Sequence, residues 1–198
     1  MNKITFLGAG STIFVKNVLG DVMLTESLQD FELALFDIDA ERLSDSERLL
    51  TSLAHSLGSS CTIKTYHDRK EALRGAKYVI NAIQVGGYDP CTITDFEIPK
   101  KYGLRQTIAD TIGIGGIFRN LRTIPVMLDF ARDMQEGCPD AWFLNYTNPM
   151  AVLTNVMNVH GGIKTVGLCH SVQVCVPHLF DALGIDQTGV VAKVAGIN

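Results

Sequence analysis

Gly8-Ala9-Gly10-Ser11 stands directly after a short apolar run, Ile4 to Leu7, and directly before a helical apolar pattern that runs towards Met23. Gly8 can take a tight turn that a residue with a Cβ resists. Gly10 lets a pyrophosphate approach the backbone. The helix opened by Ser11 then offers free N–H groups and the positive end of its dipole. A second apolar run, Phe31 to Phe36, ends in Asp37-Ile38-Asp39. A carboxylate at the tip of a second strand accepts hydrogen bonds from a ribose diol and repels a 2′-phosphate. The glycines and Asp37 together therefore read as a site for NAD rather than NADP. The third glycine of that fingerprint is missing, and Ile13 or Phe14 stands in its place. Asp39 precedes Ala40-Glu41-Arg42-Leu43 and reads as a helix cap.

Further chemistry-bearing residues follow at the ends of later apolar runs. Gln84-Val85-Gly86-Gly87-Tyr88 follows a fourth run, and Gly86 would let the backbone pass close to a bound dinucleotide; a plain flexible loop is the alternative. Asp110 lies in Gln106 to Gly116, among Gly113, Gly115 and Gly116. It could hold a sugar hydroxyl or transfer a proton, or simply cap a turn. Arg119 and Arg122, three apart, share a helix face and could clamp an anion or face solvent. Asn148-Pro149 follows a fifth run, where the Asn148 amide can donate to one hydroxyl and accept from another, or cap a helix. Cys169-His170-Ser171 follows a sixth run. A thiol beside an imidazole suggests a metal ligand or a nucleophile pair. Neighbours on an extended chain point opposite ways, so Cys169 and His170 do not bind one metal together. Cys169 as a small buried apolar residue is the alternative.

The elements that must position these residues alternate strand and helix. The strands are expected at Ile4–Leu7, Phe31–Phe36, Cys61–Tyr66, Tyr78–Ile83, Ala141–Tyr146 and Thr165–Leu168, with one more at Val190–Ala195. The helices are expected at Ala40–Leu57, ended by Gly58, from Asp68 to Arg74, at Asp95–Tyr102, at Ile117–Gln135 with a break or kink at Pro125, and from Pro149 to about Val159. This is an α/β pattern, a doubly wound parallel sheet of Rossmann type, in which ligands gather at the carboxyl ends of the strands. His55, His67, Cys61, His160, Cys175 and His178 read as structural.

The bulk numbers agree. The chain has 198 residues, 46 % of them hydrophobic, and a net charge of −4. That supplies a core and gives no electrostatic case for nucleic acid or an anionic membrane. No apolar run reaches the ~18 residues of a membrane span, and Met1-Asn2-Lys3 leads straight into a strand rather than a signal segment. Five cysteines without framework spacing suit reduced thiols and a cytoplasmic setting.

The ordered set Gly8-Ala9-Gly10-Ser11, Asp37-Ile38-Asp39, Gln84-Val85-Gly86-Gly87-Tyr88, Asp110-Thr111 with Gly115-Gly116 and Arg119, Asn148-Pro149-Met150 and Cys169-His170-Ser171-Val172-Gln173 resembles glycoside hydrolase family 4, and within it the branch that acts on α-galactosides. The resemblance covers the whole chain. It implies NAD-dependent hydrolysis: oxidation of the sugar at C3, loss of the C2 proton, elimination of the aglycone, addition of water and re-reduction. A divalent ion, usually manganese, is implied as Lewis acid. It further implies Cys169 as a metal ligand and Asn148 as a substrate-binding residue. His170 stands where the phospho-glycosidase branch has an aspartate that acts as acid, with Asp110 as a second candidate. The family's histidine ligand after Gly-Ile-Asn and its base lie beyond Asn198. The resemblance therefore implies that residues 1–198 form the NAD-binding domain of a longer enzyme with a carboxyl-terminal catalytic domain, which assembles as a dimer or tetramer. This chain alone is expected to bind NAD without hydrolysing glycosides.

Two other readings compete. A lactate- or malate-type dehydrogenase shares the glycine turn, the ribose aspartate and the Asn-Pro. Such enzymes carry arginines after strand four, and residues 86 to 99 contain none. A non-catalytic NAD-binding module is the other.

Overall fold

The computed structural model describes residues 2–106, 111, 113–193 and 195. Six parallel strands form one sheet in the order β3-β2-β1-β4-β5-β6. They are β1 (Asn2–Leu7), β2 (Phe31–Phe36), β3 (Thr62–Tyr66), β4 (Tyr78–Asn81), β5 (Trp142–Asn145) and β6 (Lys164–Gly167). The order reverses between β1 and β4, the switch point of a doubly wound sheet. The helices are α1 (Thr12–Leu24), α2 (Ala40–Leu57), α3 (Arg69–Leu73), α4 (Ile93–Lys100), α5 (Ile114–Gly137), α6 (Met150–His160) and α7 (Ser171–Leu183). Parallel strands need crossovers, and a sheet covered on both faces reads as continuous apolar runs.

Each face has its own core. Phe6, Val15, Leu19, Leu33, Leu35, Leu43 and Leu50 pack between the sheet, α1 and α2. Leu7, Leu73, Val79, Met127, Phe130, Met134, Phe143 and Leu153 pack between the sheet and α3, α5 and α6. Adjacent strand residues point to opposite faces, so Phe6 and Leu7 serve different cores. Each such side chain contributes about 1.5–3 kcal/mol by leaving water.

α2 begins where Asp39 accepts from the N–H groups of Glu41 and Arg42 and ends at Gly58 in the left-handed region, as its sequence predicts. α5 runs unbroken past Pro125. Pro125 sits on the exposed side, where water can satisfy the carbonyl freed by the missing N–H. No strand forms at 190–193. Val190 and Val191 are exposed and lack a partner strand, without which an alternating pattern does not become a strand.

Near the amino ends of β1 and β2, Lys3 and Glu32 join Lys64 and Tyr66 of β3 in a polar cluster. Lys64 Nζ lies 2.6 Å from its carboxylate, Tyr66 donates to it at 2.6 Å, and Lys3 Nζ lies 3.6 Å away. Burial pushes the Glu32 carboxyl up, but these hydrogen bonds and the lysine charges outweigh it and hold Glu32 below its ordinary value. Burial and the bond to Glu32 push Tyr66 up to about 12, so it stays a donor. A carboxylate with a lowered folded-state pKa adds stability at neutral pH and loses it as pH falls through that pKa. Glu32→Gln should therefore lower stability by about 2 kcal/mol, or roughly 6 °C in Tm, at pH 7. The deficit should shrink as both proteins are melted at progressively more acid pH.

Candidate cofactor and active site

Strand register places the candidate residues along one line. Leu7 pairs laterally with Phe36 and with Asn81, Asn81 pairs with Asn145, and Asn145 pairs with Gly167. Gly8, Asp37, Gly86, Asn148 and Cys169 all follow this row within a few residues. With strands about 4.8 Å apart, the row from β2 to β6 spans roughly 19 Å. The sheet therefore brings these residues to its carboxyl edge on consecutive strands.

The β1–α1 turn is built for close approach. Gly8 has φ +87°, and a Cβ there would lie 2.7 Å from the Ala82 carbonyl oxygen. Gly8 and Ala9 both donate to the Phe36 carbonyl at 3.0 Å, and Ser11 N–H donates to the Gly8 carbonyl at 3.3 Å. A Cβ on Gly10 would lie 2.8 Å from Asp37 Oδ2. Instead Gly10 N–H donates to that oxygen at 2.6 Å, while Asp39 N–H donates to Oδ1 at 2.9 Å. Two donors orient the Asp37 carboxylate and leave further lone pairs for a diol. Ser11 occupies the cap position of α1 without a side-chain cap bond, so the first-turn N–H groups meet no capping side chain. An open helix start, a glycine cradle and an oriented carboxylate fit the pyrophosphate and ribose of a dinucleotide. The absent third glycine has no steric consequence, because Ile13 is exposed and Phe14 packs edge-on against Phe6 and Tyr146.

The β4 loop is tied down from α4 and α5. Arg122 Nε donates to the Val85 carbonyl at 3.1 Å, and its other nitrogens grip Asp95 at 2.8 and 2.5 Å. Asp95 is buried, and its hydrogen bonds hold Arg122 above its ordinary value. Gln106 extends the tie, donating to the Asp95 carbonyl at 3.3 Å and accepting from Gly115 N–H at 3.2 Å. Arg122 is thus a strut for the glycine loop rather than an anion clamp or a solvated face. Its partner lies 27 residues away in sequence, out of reach of helix-face reasoning. Gly86 has φ +82°, and a Cβ there would overlap Cys91 Sγ. Gly116 packs against the Thr111 backbone, which leaves no room for a Cβ. Asp110 lies outside the described residues.

Asn148 is exposed beyond β5, and its Oδ1 accepts from Met150 N–H at 3.3 Å. The cap and the open amide coexist: Nδ2 meets no acceptor among the described residues and can donate outward. In this chain Cys169 is exposed rather than buried among apolar side chains. Its Sγ lies 3.1 Å from Ser171 Oγ and accepts from Ser171 N–H at 3.5 Å. These contacts hold the thiol below its ordinary value, favouring the thiolate that binds metals. His170 is exposed at the cap position of α7. Among the described residues no three His, Cys, Asp or Glu side chains gather to hold a metal ion. Cys169 alone is too small a donor set to hold such an ion. No helix among the described residues is long and apolar enough to cross a membrane.

Comparison with known proteins gives this arrangement a context. The sequence model of family 4 glycosyl hydrolases matches residues 3–185. An α-galactosidase of Bacillus subtilis strain 168 is 65 % identical over all 198 residues, which cover 46 % of its length. An α-galactosidase of Rhizobium meliloti strain 1021 is 38 % identical over 99 % of this chain and 40 % of its own. The chain spans about half the length of these curated relatives. A 6-phospho-β-glucosidase of Thermotoga maritima, solved with manganese, NAD⁺ and glucose-6-phosphate, superposes with a TM-score of 0.77 at 24 % identity, covering 94 % of this chain and 44 % of that one. Lactate and malate dehydrogenases share the fold at TM-scores of 0.62 and 0.64, with 16 % and 15 % identity. With a match over nearly its whole length, this chain belongs to family 4 of the glycosyl hydrolases.

Proposed function

We propose that this chain is the NAD-binding domain of an α-galactosidase that cleaves unphosphorylated α-galactosides by oxidation, elimination, hydration and re-reduction. The observation that carries the reading is Asp37, oriented by Gly10 and Asp39 at the mouth of the glycine turn, in a chain 65 % identical to an α-galactosidase. Bound nicotinamide supplies a hydride acceptor, and later donor, for a sugar carbon. Asp37 holds the adenine-side ribose, and the α1 amino terminus holds the pyrophosphate. Gly86 lets the anchored β4 loop lie against the cofactor. Asn148 orients sugar hydroxyls through its amide. Cys169 would offer a thiolate as one ligand for a manganese ion, with further ligands needed from elsewhere in the natural-length protein. His170 and Asp110 are the groups proposed to hold a proton for the leaving aglycone. A carboxyl-terminal domain completes the site.

The test is release of nitrophenol from an aryl α-galactoside by the natural-length protein under reducing conditions. Release that requires both NAD⁺ and manganese supports the reading. Release by metal-stripped protein without NAD⁺ overturns it, as does no release under any condition. Cys169→Ser should lower activity about 10²-fold at limiting manganese while leaving NAD affinity within twofold, since a lost or weakened metal ligand costs on that order.

A further inference from the structure

A buried polar cluster joins the ends of β4 and β5, and neither the cofactor nor the sugar site as described above uses it. Asn81, Asn145 and Thr147 are almost wholly buried. Asn81 Nδ2 donates to Asn145 Oδ1 and to Thr147 Oγ1, each at 3.0 Å. Thr147 N–H donates to Asn145 Oδ1 at 3.1 Å, and Asn145 Nδ2 donates to the Thr147 carbonyl at 3.2 Å. The Thr147 hydroxyl donates onward to the Ile83 carbonyl at 3.1 Å. Every polar atom of Thr147 is therefore engaged by Asn81, Asn145 or Ile83.

This arrangement is not the one that stability alone would select. Asn81 and Asn145 end apolar strands where a packed aliphatic residue would serve the core. Among the described residues Asn81 Oδ1, though buried, finds no hydrogen-bond partner, a cost the cluster carries. Its placement explains what that cost obtains. Thr147 immediately precedes Asn148, the sugar-binding amide. Ile83 immediately precedes Gln84-Val85-Gly86, the cofactor-side loop. The Thr147 hydroxyl is the hydrogen bond that couples the two segments.

We propose that Thr147, seated by Asn81 and Asn145, is a positioning residue that sets the spacing between the cofactor-side loop and the sugar-binding Asn148. Resting on the α-galactosidase reading above, it predicts that loss of this hydroxyl harms the reaction more than the binding of either ligand. Misplacement by about 1 Å costs on the order of 10²-fold in rate.

The experiment compares wild type, Thr147→Val, Thr147→Ala and Thr147→Ser in the natural-length enzyme. Thr147→Ala leaves space for a water to take up the freed donor, so one hydroxyl-less variant remains testable if the valine form does not fold. Four quantities are read: kcat and KM for an aryl α-galactoside, Kd for NAD⁺ by protein fluorescence, the rate effect of deuterium at sugar C3, and amide exchange across residues 84–87. The expected result is a kcat lowered about 10²-fold with KM and Kd within threefold. A larger C3 isotope effect and faster exchange at 84–87 should accompany it, and Thr147→Ser should restore both. If a folded variant without the hydroxyl keeps kcat within threefold and exchange unchanged, the positioning role is overturned while the α-galactosidase reading stands. Equal losses in Thr147→Ser and Thr147→Val also overturn it, in favour of simple packing. Wild type without NAD-dependent release overturns the reading and this inference with it.

Discussion

Asp37→Ala should raise the Kd for NAD⁺ about 10²-fold or more, read by protein fluorescence on the purified chain. The ribose diol loses two hydrogen bonds to a charged acceptor, each worth about 1.5–3 kcal/mol, and every 1.4 kcal/mol is a factor of ten. The substitution acts a second time through the protein, because Gly10 N–H, now 2.6 Å from Asp37 Oδ2, loses its acceptor and the phosphate cradle loses a brace. Asp37→Asn should fall between alanine and wild type. Whichever way the amide lies, its NH2 faces either Gly10 N–H or Asp39 N–H, one donor against another. Wild type should bind NADP⁺ far more weakly than NAD⁺, since a 2′-phosphate would meet the carboxylate. Unchanged NAD⁺ affinity in Asp37→Ala would mean that the carboxylate serves only the turn.

Asp95→Ala should lower stability by about 3–5 kcal/mol, on the order of 10 °C in Tm for a domain of this size, because it strands Arg122 beside a buried site. The loss reaches beyond stability. Arg122 spans Asp95 and the Val85 carbonyl, so freeing it loosens the loop that leads to Gly86. NAD⁺ affinity should fall about tenfold in addition, measured well below the lowered Tm. Arg122→Lys should not rescue, since one ammonium cannot make the two-pronged contact to Asp95 and reach Val85 as well. A variant that melts like wild type would show that water repays the lost ion pair.

Much of the architecture can be read from the chain because local and global cues agree. The strand runs are short and apolar on both faces, as buried parallel strands must be, and caps such as Asp39 and Gly58 mark helix ends directly. α7 went unread although Gly184 ends it in the left-handed region. Its large apolar residues Val174, Leu179 and Leu183 are exposed and do not share one helix face, so the local pattern understates the helix. Val190–Ala195 misled for the opposite reason: alternation is local, whereas a strand needs a neighbour. The edge position of Gly8, Gly10, Asp37, Asn148 and Cys169 is legible in the sequence because each follows a strand end, where such a fold puts its ligands. Arg122–Asp95 and Asn81–Asn145–Thr147 are not, because they join residues brought together only by the folded sheet.

Elimination after oxidation exchanges the sugar's C2 proton with solvent, so hydrolysis in D₂O separates it from direct displacement. The natural-length protein, with NAD⁺ and manganese, is given an aryl α-galactoside, and the released galactose is examined by NMR. A proton taken from C2 and replaced from solvent leaves deuterium at C2 of the product, and that is the predicted result. Galactose released with its original C2 hydrogen fully retained would contradict the account and direct the search to a pair of carboxylates acting without redox chemistry.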